Sequence, residues 1–475
     1  MITGIAWKNV WRNKARSLIV IAAVTIGVFA GIFTIAVMNS AVVQRLDAAV
    51  NEELSHIQIN NKDFRSSPEA GNVIGDYPSV VSAVTSVAGV KDFSGRLIIR
   101  GIASTSARST GVEVTGIEVD KEKEFMTLSN KLIEGTGSYF GAETKLNSAF
   151  IGEKLAKELN IIRYILSDDS FAKLRAKNVP EEVIAKLEPL HDIRYTSEKK
   201  FSEETEKLLT SRENKRYLLA IKEAAWSYRE GSKIILTFLD INNIQTGAAF
   251  RICGIYRTNN DMFEASSVFV PIDQLRKLTG MPAGAYHRMI VRLENNDLTE
   301  SVTRQLREML PGLEVMNWKE IQPDLAMMAD MVQAMYAIFM VIILAALAFG
   351  IVNTMLMSVL ERTRELGMLA AIGMNRRRIF SMIMLESIFL SIVGGFAGMA
   401  VGGAVIAATA EKGINLVKYS EGMEAIGYTA HLFPTIDAQF FLITTVLIVL
   451  TGVLSAIYPA RKALKLNPVE ALRGE

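Results

Sequence analysis

Met331-Val-Gln-Ala-Met-Tyr-Ala-Ile-Phe-Met-Val-Ile-Ile-Leu-Ala-Ala-Leu-Ala-Phe-Gly-Ile-Val-Asn-Thr-Met-Leu-Met-Ser-Val-Leu360 carries no acidic or basic side chain. At about 1.5 Å per residue this run makes a helix roughly 45 Å long, whereas the hydrocarbon core of a bilayer is about 30 Å thick. We read 331–360 as a span that projects past the membrane as a stiff rod. It breaks into Glu361-Arg-Thr-Arg-Glu-Leu-Gly-Met-Leu-Ala-Ala-Ile-Gly-Met-Asn-Arg-Arg-Arg378, where charged and apolar residues mix. There Leu366, Leu369, Ala370 and Gly373 share one helical face, with Arg362, Glu365 and Arg376 elsewhere. Gly373 offers a turn and Asn375 a cap for the next helix. Two readings of 361–378 stand side by side. One is an ordinary basic loop between spans, the other a docking helix that passes force between a cytoplasmic motor and the membrane.

Composition frames both readings. Half of the 475 residues are hydrophobic, and 52 Lys and Arg against 50 Asp and Glu leave a net charge of +2. The chain is too apolar for an ordinary soluble enzyme and too charged for a bare helical bundle, so a membrane part plus a soluble domain is expected. The near-neutral balance argues against a nucleic-acid binder. Cys253 is the single cysteine and excludes an intrachain disulfide; in Phe250-Arg-Ile-Cys-Gly-Ile-Tyr it reads as a core strand position. The four histidines, His56, His191, His287 and His431, lie far apart without metal-ligand spacing.

Upstream of the rod, residues 1–17 set Ile5, Trp7, Val10 and Trp11 among Lys8, Arg12, Lys14 and Arg16. This suits an amphipathic helix lying in the cytoplasmic interface. Residues 18–43 are free of charge. A signal peptide has an apolar core of only about 7–15 residues, so this longer run reads as a retained first span. Residues 44–330 alternate in short period-two runs: Ile57-Gln-Ile, Arg96-Leu-Ile-Ile-Arg, Gly111-Val-Glu-Val, Ile117-Glu-Val, Lys233-Ile-Ile-Leu-Thr-Phe, Ser267-Val-Phe-Val and Met289-Ile-Val-Arg-Leu. Helical patterns at 77–88, 152–159, 272–278 and 298–310 fall between them. A two-lobed α+β domain is expected, with Gly116 marking a bulge. Within it, 163–230 is charge-rich and poor in strand signals. Leu218, Ile221, Ala225 and Tyr228 recur at roughly helical spacing, giving an insertion of two or three amphipathic helices.

Downstream, 379–410 forms a third span and 438–460 a fourth, joined by 411–437. Gly394, Gly398 and Gly402 stand four apart, as do Gly395 and Gly403, and Gly27 and Gly31 make a smaller pair in the first span. Such small-residue spacing favours close helix contact. Glu386 reads either as a functional carboxylate or as a partner of nearby arginines, because ionisable groups are costly in spans. Basic clusters flank the spans on one side: Lys8, Arg12, Lys14 and Arg16; Arg362, Arg364 and Arg376 to Arg378; and Arg461, Lys462, Lys465 and Arg473. The other side mixes Glu411, Lys412, Lys418, Glu421, Glu424 and Asp437. Both termini, the loop 361–378 and the tail 461–475 are thus expected in the cytoplasm, and 44–330 outside.

No GxxxxGK[ST] phosphate loop occurs, and no nucleophile–base constellation stands out, so catalysis in this chain is not expected. At this point the order of one span, a large exterior domain and three further spans resembles the FtsX-like permeases of type VII ABC transporters. That group contains the MacB efflux pump and the Lol lipoprotein-releasing permeases. The resemblance rests on Glu361-Arg-Thr-Arg-Glu-Leu-Gly with Ala371-Ile-Gly373, and on Pro459-Ala-Arg-Lys-Ala463 with Asn467-Pro-Val-Glu-Ala-Leu-Arg473. Trp7–Arg16, Gly152-Glu-Lys-Leu-Ala156 and 250–258 add to it. It implies a bacterial inner-membrane permease dimer, of identical or related chains, bound to two ATPase subunits that hold the ATP and Mg while this chain holds no cofactor. Glu361, Arg362, Glu365, Leu366, Gly367, Ala371 and Gly373 would then belong to a coupling helix seated on the ATPase, with tail contacts from Pro459 onward. Force would reach the exterior domain without substrate crossing the membrane, the motion called mechanotransmission.

Three functions follow from the resemblance. The first is release of lipoproteins from the inner membrane, favoured by the loop 413–434 and by the lack of a fused ATPase. The second is an efflux permease for an antibiotic, peptide or lipophilic metabolite. The third is a scaffold that transports nothing and activates a cell-wall hydrolase, with 163–230 as its docking surface.

Overall fold

The computed structural model describes residues 2–141, 146–229, 231–419, 422–423, 428–429, 431–435 and 438–465. The chain divides into two compact units, one of residues 1–46, 324–420 and 429–475, the other of 47–323 and 421–428. The tail motif 467–473 and the loop acids Glu421, Glu424 and Asp437 lie outside the described residues.

The first unit is helical. Its N-terminal helix, Ile2–Arg12, ends one residue before a long helix, Lys14–Ala48, that continues through a π-turn at Ala49–Leu54. Pro323–Glu361, Arg376–Lys412 and Ala438–Leu464 follow, with the short helix Thr363–Ala371 between the first two of these. Among the described residues four helices are long and apolar enough to cross a membrane. Each is hydrophobic around most of its circumference, which suits burial in lipid. The second of them begins eight residues ahead of the uncharged run, because Asp324 and Asp330 sit in its first turns. The fourth passes through Pro459 to Leu464, so the helix does not stop where the tail motif starts. A proline there removes one backbone donor without ending the helix.

Glycines set the spacing inside this unit. A Cβ on Gly394 would stand 2.7 Å from Val24 Cβ, and one on Gly398 would stand 2.8 Å from the Thr25 carbonyl oxygen. The first-span helix therefore lies against the backbone of the third. Gly402 leaves more room, with Ile32 Cγ2 at 3.5 Å. Gly27 and Gly31 face the second span instead, each 3.0 Å from a side-chain carbon of Leu347 or Ile343. Gly395 meets Ile448 of the fourth helix at 3.0 Å. The third helix thus uses one stripe against the first span and an adjacent stripe against the fourth.

The second unit is α+β. Its strands are β1 (Ile57–Asn61), β2 (Val90–Ser104), β3 (Ser109–Ile117), β4 (Asn147–Gly152), β5 (Ile162–Tyr164), β6 (Trp226–Tyr228), β7 (Lys233–Leu239), β8 (Gln245–Tyr256), β9 (Ser267–Pro271), β10 (Arg288–Leu293) and β11 (Leu313–Asn317). Nine of them form one sheet in the order β11-β1-β10-β2-β3-β9-β4-β8-β7. β2 joins two lobes. Its first half, to Arg96, pairs with β10, and its second half, from Leu97, pairs with β3. Residues 101–104 also pair with β7, which closes β2-β3-β9-β4-β8-β7 into a six-stranded barrel. Alternation fills it: Ile234, Leu236 and Phe238 of β7 point inward with Leu97 and Ile99 of β2, Val268 and Val270 of β9. The other lobe buries Ile57, Ile59, Met289 and Val291 beneath the helices Tyr77–Ser86 and Thr299–Met309, through Val84, Val302 and Leu306.

Several local expectations are corrected here. Gly116 marks no bulge, since it pairs in register with Leu97 on one side and Val270 on the other. Its role is close approach: a Cβ would lie 3.2 Å from Ile272 Cα and 3.1 Å from Leu275 Cδ2. The register shifts fall instead at Ala149/Phe150 and Arg292/Leu293. Ile117-Glu-Val is not a strand, because β3 stops at Ile117 and Val119–Phe125 is helical. That turn carries Glu122 inward, where both its oxygens accept from Arg96, each at 2.8 Å. Cys253 lies in β8, where burial pushes its thiol up to about 11 and Sγ donates to the Ala149 carbonyl at 3.2 Å.

The segment 163–230 hangs from a two-stranded stem, Ile162–Tyr164 paired with Trp226–Tyr228. Between the strands run four helices rather than two or three: Asp168–Ala176, Glu181–Leu187, Glu198–Leu208 and Ser211–Ala225. They enclose a core of their own around Phe171, Leu174, Ile184, Leu187, Phe201 and Ile221. The last helix starts at a capping box, Thr210 with Glu213. Lys186 and Thr210 hold the Glu213 carboxyl down to about 2. Tyr228 is not on this helix but in β6, its hydroxyl donating to Glu153.

Candidate functional site

The loop between the second and third spans turns sharply, then caps. Thr363 donates its hydroxyl to the Leu360 carbonyl at 2.6 Å as the long helix gives way to Thr363–Ala371. The short helix ends at Gly373, whose φ of +91° is the left-handed conformation a glycine adopts without strain. Asn375 then accepts from the Arg377 backbone N–H at 2.9 Å and starts the third-span helix. Leu366 anchors the loop helix into the apolar core of the helical unit, with Leu369 packed beside it. Gly367 is buried on the same side, whereas Met368, Ala371, Ile372 and Gly373 are exposed.

Charges complete the attachment. Arg12 of the N-terminal helix donates through Nη2 to both oxygens of Glu365, each at 2.8 Å. Glu365 also accepts from Arg362 Nε at 3.1 Å. Arg362 Nη1 reaches onward to Glu386 at 3.0 and 3.1 Å. Asn9 closes the set, its amide donating to Glu386 at 2.7 Å. Arg16 pairs separately with Glu361. The N-terminal helix itself is seated by buried Ala6 and Val10, and by Trp7 edge-on to Phe389 with centroids 5.4 Å apart. Asn9, Arg12, Arg16, Glu361, Arg362 and Glu386 line a polar pocket of about 260 Å³ between the N-terminal helix and the first, second and third spans.

The electrostatics follow from position. Glu386 is 5 % exposed and sits on a span helix, so an unpaired charge there would be costly; Arg362 and Asn9 supply the missing partners. Glu365 is nearer solvent, and the Arg12 guanidinium beside it holds its carboxyl below the usual range. The result is a chain of charge-assisted hydrogen bonds running from one helix through the loop into another.

The structure therefore gathers Arg362, Glu365 and Leu366 into one cluster with the N-terminal helix, while Glu361 pairs with Arg16 at the start of the helix Lys14–Ala48. Ala371 and Gly373 lie at the open end of the loop helix. Of the glycines proposed for packing, Gly394, Gly398 and Gly402 face the first span, and Gly27 and Gly31 the second. Sequence reasoning missed Asn9 and left Glu386 open between two roles. Asn9 meets its partner 377 residues away, and no local spacing signals that.

Residues 337–468 match the FtsX-like permease C-terminal family. An uncharacterised ABC transporter permease of Methanocaldococcus jannaschii is 29% identical over 48% of this chain and 55% of its own length. The uncharacterised ABC transporter permease YknZ of Bacillus subtilis is 26% identical over 45% of this chain and 51% of its own. The macrolide export ATP-binding/permease protein MacB of Bdellovibrio bacteriovorus is 34% identical over 34% of this chain and 22% of its own. The chain thus spans about half the length of the first two relatives it matches. The solved extracellular domain of YknZ overlaps 55% of this chain and 99% of that domain, with a TM-score of 0.28 and 12% identity.

Proposed function

We propose that this chain, which carries an FtsX-like permease C-terminal domain at residues 337–468, is the membrane subunit of an ABC transporter whose ATPase is a separate partner. The observation that carries the reading is the chain of bonds Arg12–Glu365–Arg362–Glu386–Asn9. Two ATPase subunits, holding ATP and Mg, dock on the exposed end of the loop helix at Met368, Ala371 and Ile372 in a dimer of permease chains. Displacement of that helix pulls on Glu365 and Arg362. Directional charge-assisted bonds pass the pull to the N-terminal helix and the third span, so the helices move as a body rather than the loop flexing alone. The second-span helix, Pro323–Glu361, is unbroken and roughly 58 Å long, and its first residue follows the α+β domain directly in the chain. Tilting that rod changes the exterior domain. Any such shift needs contacts that differ between the two states of the ATPase.

Orientation rests on the basic clusters, which put the loop and both termini in the cytoplasm and the α+β domain outside. For the substrate, the first reading is release of lipoproteins from the inner membrane, supported by the likeness of the loop 413–434 to Lol-type permeases. A second reading, export of a small molecule already outside that membrane, is favoured by the name of the Bdellovibrio relative.

The test is mild purification of the chain from its native envelope with mass spectrometry of what accompanies it. An ATPase with acylated lipoproteins supports release, and an ATPase with an adaptor or tunnel supports export. Absence of any ATPase, under conditions that keep other membrane complexes intact, overturns the permease reading.

A further inference from the structure

A second polar cavity lies wholly within the α+β domain. The loop carrying Phe64, Arg65 and Pro68 closes over one sheet face, and Arg100, Glu113 and Arg288 complete a pocket of about 70 Å³ with it. The loop is fixed in place. Phe64 stacks on His287, centroids 4.6 Å apart. His287 accepts from the Ile98 backbone N–H through Nδ1 and donates from Nε2 to the Ala70 carbonyl, each at 2.9 Å. Asn61 adds a donation to the Val73 carbonyl at 2.8 Å.

Three arginines and one glutamate, Arg65, Arg100, Arg288 and Glu113, share the lining of this pocket. Arg100 and Glu113 are opposite each other on β2 and β3. Arg288 donates through Nε to Asn60 Oδ1 at 3.0 Å, and Arg65 reaches Met316 Sδ at 2.8 Å. Among the described residues no carboxylate lies within ion-pair distance of Arg65, Arg100 or Arg288. Their guanidinium groups offer the pocket donors that no carboxylate takes up at ion-pair distance. Elsewhere in this domain a buried arginine is neutralised, as Arg96 is by Glu122 at 2.8 Å. Burial depresses Arg288 from its ordinary value, while the charges of Glu113 and Glu314 act to raise it and those of Arg96 and Arg65 to lower it.

Size limits what can enter. A water molecule's share of liquid is about 30 Å³, so the cavity holds a group of roughly two waters, whereas drug-sized ligands need about 300 Å³ or more. We propose that this pocket binds one small oxyanion, a phosphate or carboxylate group, through the guanidinium groups of Arg65, Arg100 and Arg288. Glu113 in the lining and Glu314 near Arg288 leave only a small net positive charge at the site, which disfavours a polyanion. The proposal does not depend on what the chain transports.

The test uses the full-length protein in detergent, unfolded thermally in inorganic phosphate, acetate or chloride at matched ionic strength. A saturable rise in midpoint with phosphate or acetate, and none with chloride, is expected. Preference for phosphate assigns a phosphoryl ligand, and equal response to acetate a carboxylate. Arg65→Gln and Arg100→Gln change exposed side chains and keep the fold, and each should weaken the apparent affinity about tenfold. No anion-specific shift, or a shift unchanged in both variants, overturns the proposal.

Discussion

Arg362 and Glu386 stand 24 residues apart in the chain and meet through both carboxylate oxygens, at 3.0 and 3.1 Å. The pair locks the first residue past the second span onto the third. Removing one partner of a buried ion pair leaves the other uncompensated, whereas removing both does not. Glu386→Ala should therefore lower stability by about 3 kcal/mol. Glu386→Met with Arg362→Met should recover most of that loss. Thermal unfolding of the detergent-solubilised protein measures both, and equal losses in single and double variants would refute the pairing.

Glu365 belongs to the same chain of bonds but is 43% exposed, so its variants should affect coupling more than folding. Glu365→Lys should uncouple transport from ATP hydrolysis in the assembled complex. Arg12→Glu with Glu365→Arg should restore much of it by re-forming the pair in reverse. Because the folded carboxyl is depressed by Arg12, its contribution is present above the usual carboxylate pKa of 4.5 and fades as pH falls through the lower folded value. Unchanged rates in Glu365→Lys would contradict the coupling model.

The third-span glycines should divide by distance. Gly398→Val places carbon against the Thr25 carbonyl oxygen, 2.8 Å from the nearest Cβ position, and should cost about 1–3 kcal/mol. Gly402→Ala, with Ile32 at 3.5 Å, should be tolerated. Yield and unfolding midpoint of the two variants separate these outcomes.

Glu264 gives the α+β domain a pH dependence. It is 1% exposed, and burial, aided by Glu153, pushes its carboxyl up to about 7 despite hydrogen bonds from Thr258 and the Lys154 backbone. A raised folded pKa means the stabilising protonated form is present below the unfolded value of about 4.5 and is lost as pH rises toward 7. Stability of the domain should fall across that window by about 3 kcal/mol, and Glu264→Gln should flatten the profile. Unfolding midpoints measured from acid to neutral pH decide it.

The helical segment 163–230 should be removable. Tyr164 and Trp226 are paired across the stem, so joining them through a two-residue Asn-Gly turn replaces residues 165–225 with a hairpin. Tyr228 and its bond to Glu153 are retained. The shortened chain should still fold and still assemble with the ATPase proposed above. Loss of the folded protein would show that the segment's own core supports the barrel.

What the sequence determined by itself was the class of each segment. The uncharged run 331–360 dictates a long lipid-compatible helix because lipid offers no partner for charge or bare backbone. Period-two runs such as Lys233–Phe238 dictate strands with one buried face. The turn at Gly373 and the cap at Asn375 were legible too, since each depends only on the backbone near that residue. Partners remote in the chain were not legible. Closure of the barrel through β2 and β7 depends on strands over 130 residues apart, such as Ser104 and Ile235. The helical appearance of Tyr228 and the bulge expected at Gly116 were both overruled by what packs beside them. Glu386 shows the division most plainly: an acid in an apolar run announces a need for a partner, but only the tertiary structure brings Arg362 and Asn9 to it.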